Sequence, residues 1–152
     1  MFRNPKLYIV IIGCGRFGSY IANRLSRDGH GMVVIDSRGE AFEKLSSAFS
    51  GFRIEGDATE LAVLKRAKID KADVVIAAAS DDNTNFMVSQ IAKKVFRVPR
   101  VIARVSRPER EQVYQDLGID ALCPTTLFGD LVGDLIIEQS AVSEGEREGG
   151  EP

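Results

Sequence analysis

Residues 7–25 read LYIVIIGCGRFGSYIANRL. An unbroken apolar run at 7–12 meets Gly13, Gly15 and Gly18 in quick succession, and Phe17, Ile21 and Leu25 then recur every fourth position. The run is β-branched and apolar on both faces, which predicts a strand buried from both sides. The spacing after it predicts a helix, stopped by RDGHG at 27–31. The junction between the two is G-x-G-x-x-G. One glycine permits the tight turn, the second lets a pyrophosphate approach the backbone, and the third lets helix and strand pack closely. The helix start then presents free N–H groups and the positive end of its dipole to the phosphates.

Asp36 closes the second strand-like run, 18 residues after Gly18, with Ser37 beside it. A carboxylate there accepts hydrogen bonds from ribose hydroxyls. It also repels a 2′-phosphate, which favours NAD or a simple adenine nucleotide over NADP. Arg38 has two readings, a solvated helix-start residue or a cation that accommodates a 2′-phosphate.

The rest of the chain alternates in the same way. Strands are expected at 8–12, 32–35, 52–55, 74–78, 101–104 and 119–122, and later helices at 40–49, 60–67, 83–96, 108–117 and 127–138. Strict alternation with short turns predicts a Rossmann-like, doubly wound α/β fold, a mostly parallel six-stranded sheet with helices on both faces. One domain at 7–139 is expected, after a short extension at 1–6. The Gly-, Ser- and Glu-rich tail at 140–152 is expected to be disordered.

Ligands of such sheets bind at the carboxyl ends of the strands. Asp57, Ala58 and Thr59 follow the third strand; Asp57 can accept from an adenine amino group, or Asp57 or Thr59 can cap the next helix. Ser80 follows the fourth strand, where capping and ligand contact are both open. Arg104 ends the fifth and can reach phosphate, as can Arg16 inside the glycine loop. The last helix, TTLFGDLVGDLIIEQ, carries Leu127, Leu131 and Leu135 four apart with Phe128, Val132 and Ile136 beside them. That band is wider than one sheet face needs. It predicts at least a homodimer, with Phe128, Leu131 and Leu135 in the contact; packing wholly on its own sheet is the alternative.

Composition removes other classes. The net charge is −2 and no basic block occurs, so a nucleic-acid partner is not expected. Cys14 and Cys123 form no C-x-x-C pair and no metal spacing appears, so neither a metal nor a redox site is expected. No apolar run approaches the roughly 20 residues of a membrane span, which suggests a cytoplasmic chain. The single histidine, His30, falls in a turn opposite the ligand crevice. A dehydrogenase would need an acid/base residue beside the nicotinamide. No catalytic residue is assigned, and the expectation is a regulator and not an enzyme. An NAD-dependent oxidoreductase and another nucleotide-dependent adaptor are the alternatives.

The segments IIGCGRFGSYIANRL, VVIDS, GDATE, ADVVIAAASDDNTNFMVSQIAKK and VIARVSRPE, in this order and spacing, resemble the RCK N-terminal family, also called KTN or TrkA-N domains. These are the Rossmann regulatory domains of potassium channels and of Trk/Ktr-type potassium transporters. The resemblance covers residues 6–138. It implies a cytoplasmic domain that binds NAD(H), ATP, ADP or AMP, forms dimers or larger rings, and sits at the inner face of the membrane through a potassium-transporter subunit. By position, Gly13, Gly15, Arg16, Phe17 and Gly18 fall on the family's phosphate loop and Asp36 on its ribose-binding acid. Asp57, Ala58 and Thr59 fall on the segment lining its adenine pocket; Ser80 and Arg104 fall near its phosphates or second ribose. Two departures stand out. Many members continue into a C-terminal ligand-binding domain, which is expected here to be a separately encoded subunit if one takes part. Triphosphate-responsive members often carry Glu after the proline matching Pro124, where this chain has Thr125.

Overall fold

The computed structural model describes residues 5–148. Its strands are β1 (Tyr8–Ile12), β2 (Gly31–Asp36), β3 (Phe52–Glu55), β4 (Val74–Ala77), β5 (Arg100–Arg104) and β6 (Asp120–Leu122). They form one sheet in the order β3-β2-β1-β4-β5-β6, every pair parallel. The helices are α1 (Arg16–Arg27), α2 (Leu61–Arg66), α3 (Asp82–Gln90), α4 (Glu111–Asp116) and α5 (Pro124–Glu148). The chain builds outward from β1 to β3, then returns to start β4 on the other side of β1. The crevice between β1 and β4 is therefore the switch point, where such sheets bind ligands.

Alternation along each strand sorts the core into two layers. Val10, Ile12, Val33, Ile35, Val75, Ala77, Val101 and Ala103 face α2, α3 and α4, and meet Leu64, Val88 and Tyr114. Ile9, Ile11, Met32, Val34, Val74 and Ile76 face the other way, against Ala22 of α1 and against Leu45 and Phe49. On this second face no helix among the described residues covers the β5–β6 end. Ile102 is only partly buried and Leu122 is exposed. α5 does not supply that cover, because its apolar side chains at 127–137 are exposed to solvent, from 41% at Val132 to 69% at Phe128.

α1 buries its small residues Gly18, Ser19, Ala22 and Ser26, while Phe17 is exposed; close approach at Gly18 leaves no room for a large side chain in that interface. Three other elements differ from the sequence reading. The expected helix at 40–49 is a 3₁₀ segment, Gly39–Lys44. Asn23 of α1 clasps its end, donating to the Lys44 carbonyl at 3.3 Å and accepting the Ser46 amide at 2.9 Å. Those bonds compete with helical continuation. The long helix expected at 83–96 is α3 followed by a π-helical turn, Ile91–Val95. The wider turn leads into the reversal at Arg97, whose φ is +55°. Last, α5 runs through Glu148, well past the expected end at 138, which corrects the reading of 140–148 as disordered; residues 149–152 lie outside the described residues. Ala, Glu and Arg in that stretch are helix formers, and each residue added to a nucleated helix gains a hydrogen bond.

Candidate nucleotide-binding site

The first βα turn is fixed by hydrogen bonds to β2. The Gly13 amide donates to the Ile35 carbonyl at 2.8 Å, extending the β1–β2 ladder into the loop. The Cys14 amide donates to one Asp36 carboxylate oxygen at 2.8 Å, and the Arg38 amide donates to the other at 2.9 Å. Asp36 is thus held by two backbone donors beside the glycine loop. Its remaining lone pairs are placed to accept from a pair of vicinal hydroxyls.

Each glycine has a separate physical role. Gly13 has φ +95°, and a Cβ there would lie 2.8 Å from the Ala78 carbonyl oxygen. A Cβ on Gly18 would lie 1.9 Å from the Gly13 carbonyl oxygen, so Gly18 sets how closely α1 approaches the loop. A Cβ on Gly15 would meet nothing within 4 Å. Gly15 is the N-cap of α1, no side chain caps the helix, and its first turn holds no acid. The first N–H groups of α1 therefore face open space with their bonding capacity unused, an arrangement that attracts an anion.

Above this floor lies a cleft of about 960 Å³. Gly13, Gly15, Arg16, Phe17, Asp36, Ser37, Asp57, Ala58, Ser80 and Arg104, all expected from the sequence, line it. Gly18 and Thr59 do not; Gly18 lies behind the loop. The Thr59 amide and hydroxyl donate to one Asp57 oxygen at 2.8 and 2.7 Å. Those bonds, the hydroxyl's first, hold the Asp57 carboxyl below its ordinary pKa. Asp81 caps α3, accepting the Thr84 amide at 2.9 Å and its hydroxyl at 2.8 Å, and is likewise lowered, chiefly by the amide.

The lining acids Asp36, Asp57 and Asp81 are therefore engaged with backbone amides. The lining cations Arg16, Arg38, Lys44 and Arg104 are in no ion pair, because the pairs among the described residues are Lys71–Asp70 and Arg100–Asp120. The unspent charge of the cleft is cationic, which suits a phosphate-bearing ligand.

Two contributors were not read from the sequence. Lys44 reaches the cleft because Asn23 fixes its segment. Asn85, fully buried on α3, accepts the Ala79 amide at 2.9 Å and donates to the carbonyls of Ala79 at 2.8 Å and Arg104 at 3.1 Å. It locks the ends of β4 and β5 together. The only available signal was a second polar residue, Asn85, at helical spacing behind the Asp81 cap.

Cys14 and Cys123 are buried and free. Burial first, and then Asp36, pushes the Cys14 thiol up. Burial also raises Cys123, but the Thr126 hydroxyl and amide and the Thr125 amide outweigh it and lower the thiol. His30 lies at the opposite end of the sheet, its Nδ1 accepting the Leu7 amide at 3.2 Å. Among the described residues no cluster of His, Cys, Asp or Glu suits a metal ion, and no helix is long and apolar enough to cross a membrane.

A family model described as the TrkA-N domain matches residues 9–124. The chain belongs to the TrkA-N domain family. It is 41% identical over 124 residues to the Trk system potassium uptake protein TrkA of Streptomyces coelicolor, covering 82% of this chain and 56% of that protein. The TrkA of Mycobacterium tuberculosis H37Rv is 33% identical over 118 residues, 77% of this chain and 53% of the relative. This TrkA-N chain thus spans about half the length of the curated relatives it matches. Among solved structures, the GsuK RCK domain superposes with a TM-score of 0.74 at 25% identity, over 90% of this chain and 29% of that one. The TrkA-N domain of the Escherichia coli inner membrane protein ybaL gives 0.76 at 16% identity, over 87% and 98%, which shows the shared fold.

Proposed function

We propose that this TrkA-N chain is a regulatory module of a potassium-transport system, binding NAD(H) or an adenine nucleotide and passing the bound state to a partner. The observation that carries the reading is the pairing of Asp36, anchored by the Cys14 and Arg38 amides, with the uncapped start of α1 at Gly15. One holds a ribose and the other a phosphate, side by side in one cleft. Structures of GsuK bound to ADP and of the GsuK channel bound to NAD share this fold. Potassium transport enters through the TrkA relatives. A membrane potassium-transporter subunit is then the partner, which places the chain at the cytoplasmic face. A separately encoded C-terminal regulatory domain is a second candidate partner. A regulator also fits the cleft's chemistry better than an enzyme, since its acids are tied to backbone amides and its histidine lies at the far end of the sheet.

A sensor must convert occupancy into movement, and α5 is placed to do so. Its first residue, Pro124, lines the cleft. The Thr126 hydroxyl donates to Glu111 of α4 at 2.7 Å. Beyond that turn Phe128, Leu131 and Leu135 stand exposed, while the β5–β6 end of the sheet lacks cover. These matching deficits favour a homodimer in which α5 packs against a second copy. Calorimetric titration of the dialysed chain with NADH, AMP, ADP and ATP tests the ligand. Sedimentation at micromolar concentration tests the assembly. A monomer of 16.6 kDa with and without nucleotide would remove the dimer. Absence of binding by every nucleotide would remove the ligand reading.

A further inference from the structure

Two hydrogen bonds on α4 join the lip of the cleft to the base of α5. On one side the Tyr114 hydroxyl donates to the Asp82 backbone carbonyl at 3.0 Å. Asp82 opens α3 directly after Ser80 and Asp81, which line the cleft. The buried Tyr114 ring meets Phe86 of α3 edge-on, with centroids 5.1 Å apart and planes at 73°. Both Asp82 carboxylate oxygens accept the Ser106 amide, at 2.9 and 3.1 Å, just ahead of α4. The start of α3 and α4 therefore form one stiff unit whose edge is the cleft lip. On the other side Glu111, the first residue of α4, accepts the Thr126 hydroxyl at 2.7 Å, in the first turn of α5.

The Thr126 bond has two available states. A threonine hydroxyl carries one proton. Glu111 takes it here, and the buried Cys123 sulfur is a second partner in reach, since the Thr126 hydroxyl acts on that thiol together with the Thr125 and Thr126 amides. Release from Glu111 therefore strands neither group: the hydroxyl turns to the sulfur and the partly exposed carboxylate turns to water. A bond exchanged in this way opens at small cost, because the large penalty belongs to buried groups left without a partner. Small displacements at this turn are amplified. α5 is 25 residues long, and a tilt of about 5° at its base moves the far end of a helix of about 37 Å by about 3 Å. Leu127, Phe128, Leu131 and Leu135, which such a tilt would carry with it, are exposed.

Resting on the nucleotide reading of the cleft, we infer that α4 is a strut that carries cleft occupancy to α5, with the Tyr114–Asp82 bond as its input and the Glu111–Thr126 latch as its output. A ligand seated against Ser80 and Asp81 shifts the Asp82 carbonyl, α4 follows through Tyr114, and the latch exchanges. Thr126 and Glu111 lie outside the cleft lining and act as positioning residues for α5. The competing route is direct, through Pro124, which lines the cleft and is the first residue of α5.

Thr126→Val keeps the branched shape of the side chain and removes the donor, so it separates the two routes. Backbone amide NMR spectra of the full chain titrated with ADP read both ends at once, at Gly13 and Gly15 for the cleft and at Phe128, Leu131 and Leu135 for α5. In the parent both sets should shift and saturate together. In Thr126→Val the cleft set should saturate at the parent's ADP concentration to within about twofold, as for distant sites, while the α5 shifts fall to about half their parent size or less. Glu111→Ala and Tyr114→Phe should do the same, and Glu111→Gln, which retains the acceptor oxygen, should respond like the parent. Undiminished α5 shifts in any of the first three variants overturn the strut and leave the coupling to Pro124. Equal losses in Glu111→Gln and Glu111→Ala overturn the latch as a hydrogen bond. Parent shifts confined to the cleft overturn the strut and leave the nucleotide reading standing, whereas no shift at Gly13 and Gly15 at millimolar ADP overturns both.

Discussion

The glycine loop separates folding from binding at single residues, and the contrast between Gly15 and Gly18 can be worked out from the structure. Gly15 has φ −77° and ψ −163°, extended backbone that any residue adopts, and its missing Cβ would project into open space. A Gly15→Val variant should fold with stability within about 1 kcal/mol of the parent, as surface substitutions usually do. Its isopropyl group would stand where a phosphate must reach the first amides of α1, so nucleotide affinity should drop at least roughly tenfold, about 1.4 kcal/mol. Gly18 is the reverse case. A Cβ there would sit 1.9 Å from the Gly13 carbonyl oxygen, a backbone atom that cannot swing aside. Forcing it in costs about 1–3 kcal/mol of overpacking or more, against which Ala gains at most about 1 kcal/mol of helix propensity. A net loss near 2 kcal/mol lowers the melting temperature of a domain of this size by about 4–8 °C. Thermal denaturation and calorimetry on both variants form the assay. The reasoning is refuted if Gly15→Val melts as early as Gly18→Ala, or binds nucleotide like the parent.

Three further outcomes follow from the same geometry. Asp36→Ala should weaken NADH by about 1.5–3 kcal/mol, the range for a charged hydrogen bond, and the parent should prefer NADH to NADPH; equal affinities by titration would make Arg38 a 2′-phosphate ligand. Asn85→Ala leaves the Ala79 amide and the Ala79 and Arg104 carbonyls without their partner, a loss of about 3 kcal/mol or more at 1–3 kcal/mol per stranded group, read as an earlier urea midpoint. Burial first, and then Asp82, pushes the Tyr114 hydroxyl up from 10.0 to about 12. The unfolded chain releases that proton first, so stability present below pH 10.0 is lost as pH climbs toward about 12. Urea unfolding should show a shallower decline over that window in Tyr114→Phe.

The fold was legible because its signals are local. The apolar run before Gly13, the third glycine, and an acid at the end of the second strand each constrain the chain within a few residues, and the all-parallel sheet follows from their repetition. That the glycine loop and Asp36 meet in one cleft was legible for the same reason. What escaped depends on contacts distant in sequence. Lys44 reaches the cleft only because Asn23, on another helix, fixes its segment. Asn85 holds two strand ends whose proximity no local pattern reveals. In α1 close packing at Gly18 gives the buried face to small residues, which the apolar period of Phe17, Ile21 and Leu25 does not reveal. The course of α5 escaped because polar composition says whether a segment can bury itself, not whether an established helix will stop.

The central claim is that the cleft at the ends of β1, β2 and β4 binds an adenine nucleotide and that α5 responds. Backbone amide NMR spectra of the 16.6 kDa chain, recorded during titration with ADP, test it most directly. Saturable shifts should concentrate at Gly13, Gly15, Arg16, Asp36, Asp57 and Ala58 and continue into Thr125 and Thr126 at the start of α5, while Leu7 and His30 at the opposite end of the sheet stay in place. Shifts centred on Leu7 and His30, or a spectrum unchanged at millimolar ADP, would contradict the account.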